Sequence, residues 1–227
     1  MPHLENSLTR PDTGNNSWLP QVGNWLLDLV FPPVCACGRV DYRFCGDCLK
    51  ELERFPLEPR IVSGQPLDGL SSTGIYDGVL GQAIRAFKYD GLTGLDKQLA
   101  QRLKRAYEAT HWPIDLIIPV PLAKKRQDER GYNQSEMLAA CLSEICAIPC
   151  RSGFMRRIRE TDQQARLSAE QRIANVRNAF EASEAVQGLA ILIIDDVVTT
   201  GSTLHECGRA LKTKGARAVY ALTVGRA

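Results

Sequence analysis

The chain has 227 residues, 44% of them hydrophobic and 24% charged, which suits an ordinary soluble globular protein with one full α/β domain and a small appendage. Its net charge of +2 is too small to name a partner by itself. No run reaches the roughly 18 consecutive apolar residues of a membrane span, and the polar start lacks the apolar core of a secretory signal, so a cytoplasmic protein without a membrane span is expected.

Residues 1–17 read as a disordered tail. Trp18 to Phe31 is apolar but short, and predicts an amphipathic helix packed on the body. The unit 18–55 then continues into "FPPVCACGRVDYRFCGDC", which places Cys35, Cys37, Cys45 and Cys48 together. A chain without an export signal keeps its thiols reduced, so clustered cysteines favour a metal over disulfides. Two thiolate pairs can close a tetrahedral Zn²⁺ site, and a unit this small has almost no core of its own. Structural zinc is therefore expected here. Residues 56–72 are rich in Pro, Gly and Ser and read as a linker.

Residues 73–227 carry an α/β pattern. "STGIYDG" offers a short strand, "VLGQAIRAFKYDG" a helix, and "LTGLDKQLAQRLKRAYEA" a longer helix. "IDLIIPVP" reads as a buried strand, and "NQSEMLAACLSEICA" as a helix with Asn133 or Ser135 as its cap. "LAILIID", a helix over 204–214 and "ARAVYALTVGR" make a βαβ unit, so the sheet should be mostly parallel.

Ile191 to Ile194 read as a strand buried on both faces, with Asp195 and Asp196 at its carboxyl end. Ligands of open α/β sheets bind at that end. Thr199, Thr200, Gly201, Ser202 and Thr203 follow, at the start of a helix. A phosphate there would meet free N–H groups, hydroxyl donors and the positive end of the helix dipole. The two carboxylates need donors instead, and a sugar diol or a Mg²⁺ ion bridging to it meets that need. The run is shaped for a ribose 5-phosphate. "ILIIDDVVTTGST" also resembles the phosphoribosyl-pyrophosphate (PRPP) motif of type I phosphoribosyltransferases. The resemblance implies that Asp195 and Asp196 hold the ribose hydroxyls. It also implies that the run through Val197 and Val198 to Thr203 binds PRPP, with the 5-phosphate in the Thr199–Thr203 loop.

Two basic segments accompany this motif. Lys124, Lys125, Arg126 and Arg130 stand against Asp128 and Glu129 after the 114–121 strand. A strand parallel to the acid-bearing one would deliver them to the same edge, where a pyrophosphate or a DNA phosphate needs cations. A solvated charged loop is the plainer alternative. Arg151 to Arg177 holds seven arginines, Arg157 and Arg159 among them, against three acids. It suits a flap over phosphates or a groove for a nucleic-acid backbone.

"FKYDG", "PVPLAKKRQDERGYNQSEMLA", "RIRETDQQARLSAEQRIANVRNAF" and the PRPP motif occur in the order found in the ComF family of competence-associated proteins. The resemblance spans Val34 to Arg226 and implies a type I phosphoribosyltransferase-like domain, a mostly parallel sheet flanked by helices, with an N-terminal zinc ribbon. It also implies handling of incoming single-stranded DNA in the cytoplasm beside a helicase-like competence protein. Relatives carry two C-x-x-C pairs in the ribbon, whereas the first pair here is C-x-C. Two functions stay open. One is an accessory protein that binds PRPP with Mg²⁺ and single-stranded DNA. The other is an active phosphoribosyltransferase using an unidentified nitrogen acceptor, with Asp195 positioning and stabilising charge, and Asp196 orienting the ribose or assisting the proton on the nucleophile. Cys141, Cys146, Cys150 and Cys207 read as core cysteines, and His205 as a bystander.

Overall fold

The computed structural model describes residues 35, 37–39, 44–57, 62–89, 93–159 and 176–227. The expected 1–17 tail, the helix over 18–31, and residues 160–175 of the arginine-rich segment lie outside the described residues.

Five strands form the main sheet. They are β1 (Val62–Gly64), β2 (Leu67–Ser72), β3 (Leu116–Pro119), β6 (Ala190–Val198) and β7 (Ala218–Arg226). A separate antiparallel hairpin joins β4 (Met155–Arg157) to β5 (Phe180–Ala182). The order is β1-β2-β7-β6-β3, parallel throughout except for the β1–β2 edge. The helices are α1 (Gly46–Arg54), α2 (Gly78–Tyr89), α3 (Asp96–Thr110), α4 (Lys124–Arg130), α5 (Gln134–Cys146) and α6 (Ser202–Thr213).

The greasy run in β6 is explained by burial on both faces. Leu192 and Ile194 belong to the cluster that includes residues of α2, α3 and α5, while Ile191 and Ile193 belong to the cluster with α6. Successive strand residues alternate faces, so a sheet covered on both sides needs apolar residues at every position. The strand does not stop at the acids. Its ladder to β7 continues through Asp195 opposite Thr223 to Val198 opposite Arg226, which fixes the carboxylates on regular backbone.

Three segments differ from the sequence-based expectation. The 56–72 stretch is not simply a linker, because β2 pairs along β7 and buries Leu67, Ser71 and Ser72. Its sequence, LDGLSS, lacks the β-branched residues that advertise a strand. The neighbouring β7 backbone supplies what propensity does not, and the Val219 N–H donates to Asp68 Oδ2 at 2.7 Å. Conversely, the strand expected in "STGIYDG" is reduced to one bridge between Ile75 and Arg226. The charged loop after β3 contains α4, seven residues that are good helix formers except for Asp128 and that end at Gly131 with φ of 78°.

The cysteine unit is joined to the α/β body by packing and by one buried arginine. Cys35, Cys45, Cys48 and Leu52 share a cluster with Val79, Leu80 and Ile84. Arg102 on α3 is 2% exposed. Its guanidinium donates to the carbonyls of Leu52 (3.0 Å), Phe55 (2.8 Å) and Pro56 (3.1 Å) at the C-terminal end of α1. A cation at a helix C-terminus meets carbonyls that lack intrahelical partners.

Candidate functional site

Asp195 and Asp196 lie at the C-terminal end of β6, and all residues from Asp195 to Thr203 line one cleft of about 670 Å³. Gly201 has φ of 76°, a conformation that favours glycine, and it offers no side chain to cap α6. The helix start therefore opens onto the cleft. The Thr200 and Ser202 hydroxyls bond each other within the loop.

Each acid has its own partner. The Ser135 hydroxyl donates to Asp195 Oδ1 at 2.8 Å, and the Asp196 N–H donates to the same oxygen at 2.9 Å. Burial, reinforced by the neighbouring Asp196 carboxylate, pushes Asp195 up to about 7 against the opposing pull of Lys88 and Ser135. Asp196 is paired with Lys88, whose Nζ lies 2.8 Å from Asp196 Oδ1. Burial works against the charge on Lys88, but the Asp196 carboxylate outweighs it and keeps the ammonium above its ordinary value.

The run Arg130–Ser135 builds the wall between α2 and β6. Gly131 ends α4 in the left-handed conformation. The Tyr132 hydroxyl donates to the Phe87 carbonyl, and the Gln134 amide donates to the Lys88 carbonyl at 3.5 Å. Asn133 caps α5, accepting from the Ser135 N–H at 3.1 Å, and its own amide donates to the Val120 carbonyl at 3.1 Å. Arg130 bonds Gln134 Oε1 at 3.0 Å and lies 4.9 Å over the Tyr89 ring. One short segment thus holds the end of α2, the end of β3 and one of the two acids.

The cations named from sequence divide. Arg126, Arg130 and Arg157 line the cleft, and Arg157 also sits 5.3 Å over the Phe180 ring. Lys124 and Lys125 line a separate shallow surface with Asp128 and Glu129. That is the solvated charged face, and it follows from α4, which turns one side of the basic run away from the cleft. Arg159 is outside the cleft lining, and its guanidinium donates to the Arg177 carbonyl at 2.7 Å. His205 is likewise absent from the lining. Lys88 and Ser135 are the site residues that sequence reasoning passed over. Both lie inside the segments FKYDG and NQSEMLA, but nothing local in sequence says that they meet the acids.

Near the other end of the chain, the sulfurs of Cys35, Cys37, Cys45 and Cys48 all lie within 4.8 Å of one another. The Cys35–Cys48 and Cys37–Cys45 separations are both 3.6 Å. Tetrahedral ligation at about 2.3 Å per Zn–S bond places sulfurs about 3.8 Å apart, so the set fits a metal ion such as zinc. The shorter C-x-C spacing does not prevent this convergence. Of the other cysteines Cys207 is buried, while Cys141, Cys146 and Cys150 are half-buried rather than fully in the core.

The match to known proteins agrees with this architecture. Residues 133–226 match the family model of a phosphoribosyl transferase domain. Competence protein F of Haemophilus influenzae is 34% identical over 208 residues, covering 87% of this chain and 86% of that protein. The chain belongs to the competence protein F family. Within it, the DNA utilization protein YhgH of Salmonella typhi is 34% identical over 180 residues, 77% of this chain and 74% of that one. Competence protein ComFC of Bacillus subtilis is 26% identical over 187 residues, 81% and 72% of the two chains. Among solved structures, glutamine PRPP amidotransferase from B. subtilis is 20% identical over 58% of this chain and 26% of that one, with a TM-score of 0.40. No described helix is long and apolar enough to cross a membrane.

Proposed function

We propose that this competence protein F relative binds PRPP, or a related ribose 5-phosphate ligand, in the β6–α6 cleft and acts in the cytoplasm on incoming single-stranded DNA. The observation that carries the reading is the convergence, in one cleft, of two acids, a hydroxyl-bearing helix start and three arginines. The helix start takes the 5-phosphate, the acids take the ribose hydroxyls, and Arg126, Arg130 and Arg157 face the pyrophosphate. The DNA role is supported by the competence and DNA utilization names of the relatives. It is supported also by the exposed Arg151, Arg159 and Arg177 beside the β4–β5 hairpin. A helicase-like competence protein is the partner this role calls for. Zinc held by the four cysteines is the structural ion.

Magnesium needs a separate test against the residues present. Asp196 Oδ1 is ion-paired with Lys88 and Asp195 Oδ1 accepts two hydrogen bonds, so a hard cation would find only the Oδ2 atoms of the two acids, with the Lys88 ammonium beside them. A Mg²⁺ that arrives with PRPP would be held by the ligand's own oxygens.

Calorimetric titration of PRPP with Mg²⁺, with and without a short single-stranded oligonucleotide, tests the reading. PRPP affinity is expected to shift with the oligonucleotide. Replacing Asp195 and Asp196 together with Ala removes two charge-assisted hydrogen-bonding groups, worth about 1.5–3 kcal/mol each, so a loss on the order of a hundredfold or more is expected. Affinity that survives this change would sink the site assignment.

One observation favours a second reading, a working phosphoribosyltransferase. An acid raised to about 7 is poised to take a proton from a nitrogen nucleophile. On that reading the proton falls to Asp195 rather than Asp196, because Lys88 engages Asp196. Pyrophosphate release that depends on one added base or amine would establish it.

A further inference from the structure

The acid pair carries its own counter-cation. Lys88 Nζ lies 2.8 Å from Asp196 Oδ1, and the two side chains are only 18% and 12% exposed. This is not a loosely held surface pair. Lys88 ends an amphipathic helix whose buried face includes Ile84 and Phe87. The carbonyls of Phe87 and Lys88 are both claimed by side chains of the Arg130–Ser135 run, through Tyr132 and Gln134. The same run presents Ser135 to Asp195. One segment therefore sets the register between the ammonium and both carboxylates.

We propose that Lys88 is the fixed cation of the sugar subsite, doing at the carboxylates what a divalent metal would otherwise do, so that the chain takes the diol of a ribose 5-phosphate without a metal ion. The proposal rests on the phosphosugar reading and deepens it. Two adjacent carboxylates repel each other and need positive charge nearby before a neutral diol can be held between them. A lysine on a rigid helix end supplies one charge at fixed distance. A divalent ion brought against Asp196 would have to approach that ammonium or displace it. A metal that accompanies a pyrophosphate ligand then belongs to the ligand, and a ligand without pyrophosphate needs none.

Ribose 5-phosphate is the discriminating probe, because it carries the diol and the 5-phosphate but no pyrophosphate to recruit a metal. Its affinity for the full-length protein is measured by calorimetry in EDTA and in millimolar Mg²⁺, for wild type, Lys88→Met and Lys88→Arg. The wild type is expected to bind equally, within about twofold, in both buffers. Lys88→Met is expected to lose at least tenfold in EDTA and to recover part of it with Mg²⁺, while Lys88→Arg retains metal-independent binding. Binding by the wild type that requires Mg²⁺ overturns the proposal, and this arm needs no variant to fold. Equal binding by Lys88→Met and wild type in EDTA also overturns it. A wild type that binds PRPP but not ribose 5-phosphate overturns the Lys88 proposal alone. One that binds neither removes the phosphosugar reading and this proposal with it.

Discussion

The acid cleft and the cysteine unit both gather groups that repel one another when ionised, and the chain treats them in opposite ways. In the cleft, Lys88, the Ser135 hydroxyl and a backbone N–H all come from the protein itself. In the cysteine unit, the four sulfurs converge with no ammonium or guanidinium bonded to any of them among the described residues. Arg39, the nearby cation, is paired instead with Asp47 at 2.8 Å. The N–H groups of Cys48 and Asp47, at the start of α1, hold Cys45 down to about 6, while burial pushes Cys48 up. The acids are compensated by groups of the chain itself, whereas the thiols would need an added cation, and their geometry suits one.

The largest test of this contrast is removal of that cation. Chelation, or Cys48→Ser, is expected to lower bound zinc and to cost several kcal/mol of stability; zinc-finger peptides gain about 10–16 kcal/mol from the metal. The loss should reach the α/β body, because Cys48 and Leu52 pack in the same cluster as Leu80 and Ile84. A thermal midpoint unchanged by a strong chelator would mean that the thiols need no metal to hold the unit together.

The connection between the two regions is the next largest. Arg102 is buried against carbonyl and hydroxyl oxygens, and burial draws its pKa down to about 10. Arg102→Met leaves the Leu52, Phe55 and Pro56 carbonyls without this donor, and a cost of about 3 kcal/mol or more is expected in a denaturant titration. If the loss came as a separate early transition confined to the cysteine unit, Arg102 would be a fastener between two folding units. A single transition at lower denaturant would mean that they fold as one.

The same division explains what was legible in the sequence. The apolar run, the acids and the hydroxyl loop of β6–α6 are contiguous, so their chemistry could be read without a fold. Asn133 was legible as a cap for the same reason. β2 was not, because Asp68, Leu70 and Ser71 look like loop residues until β7 lies beside them. Lys88 was hidden because a lysine closing an amphipathic helix is ordinary, and its partner is distant in the chain. Arg102 reads as one more exposed charge on α3. What escaped is the set of partners that only tertiary contact supplies, and with them the burial that raises Asp195.

That ionisation gives the smallest effect and the one most specific to the cleft. Asp195 rises from 3.8 to about 7, chiefly through burial. Between about pH 4 and 7 the folded chain therefore holds a proton that the unfolded chain has released, and stability falls as pH rises across that window. Asp195→Asn removes the titrating group, and its amide oxygen can still accept from Ser135 and from the Asp196 N–H. The variant is expected to melt above the wild type by a margin that is smaller at pH 5 and reaches its full size at pH 8. The gain is about 2 kcal/mol, discounted for partial exposure, or roughly 5 °C. The same variant should bind PRPP more weakly at both pH values, because the diol loses a charged acceptor. Higher stability with weaker binding would show that the carboxylate is kept for its ligand at the expense of the fold. Coincident melting curves at pH 8 would mean that Asp195 is comfortably ionised in the free protein. Lys88 would then have to neutralise both acids rather than one.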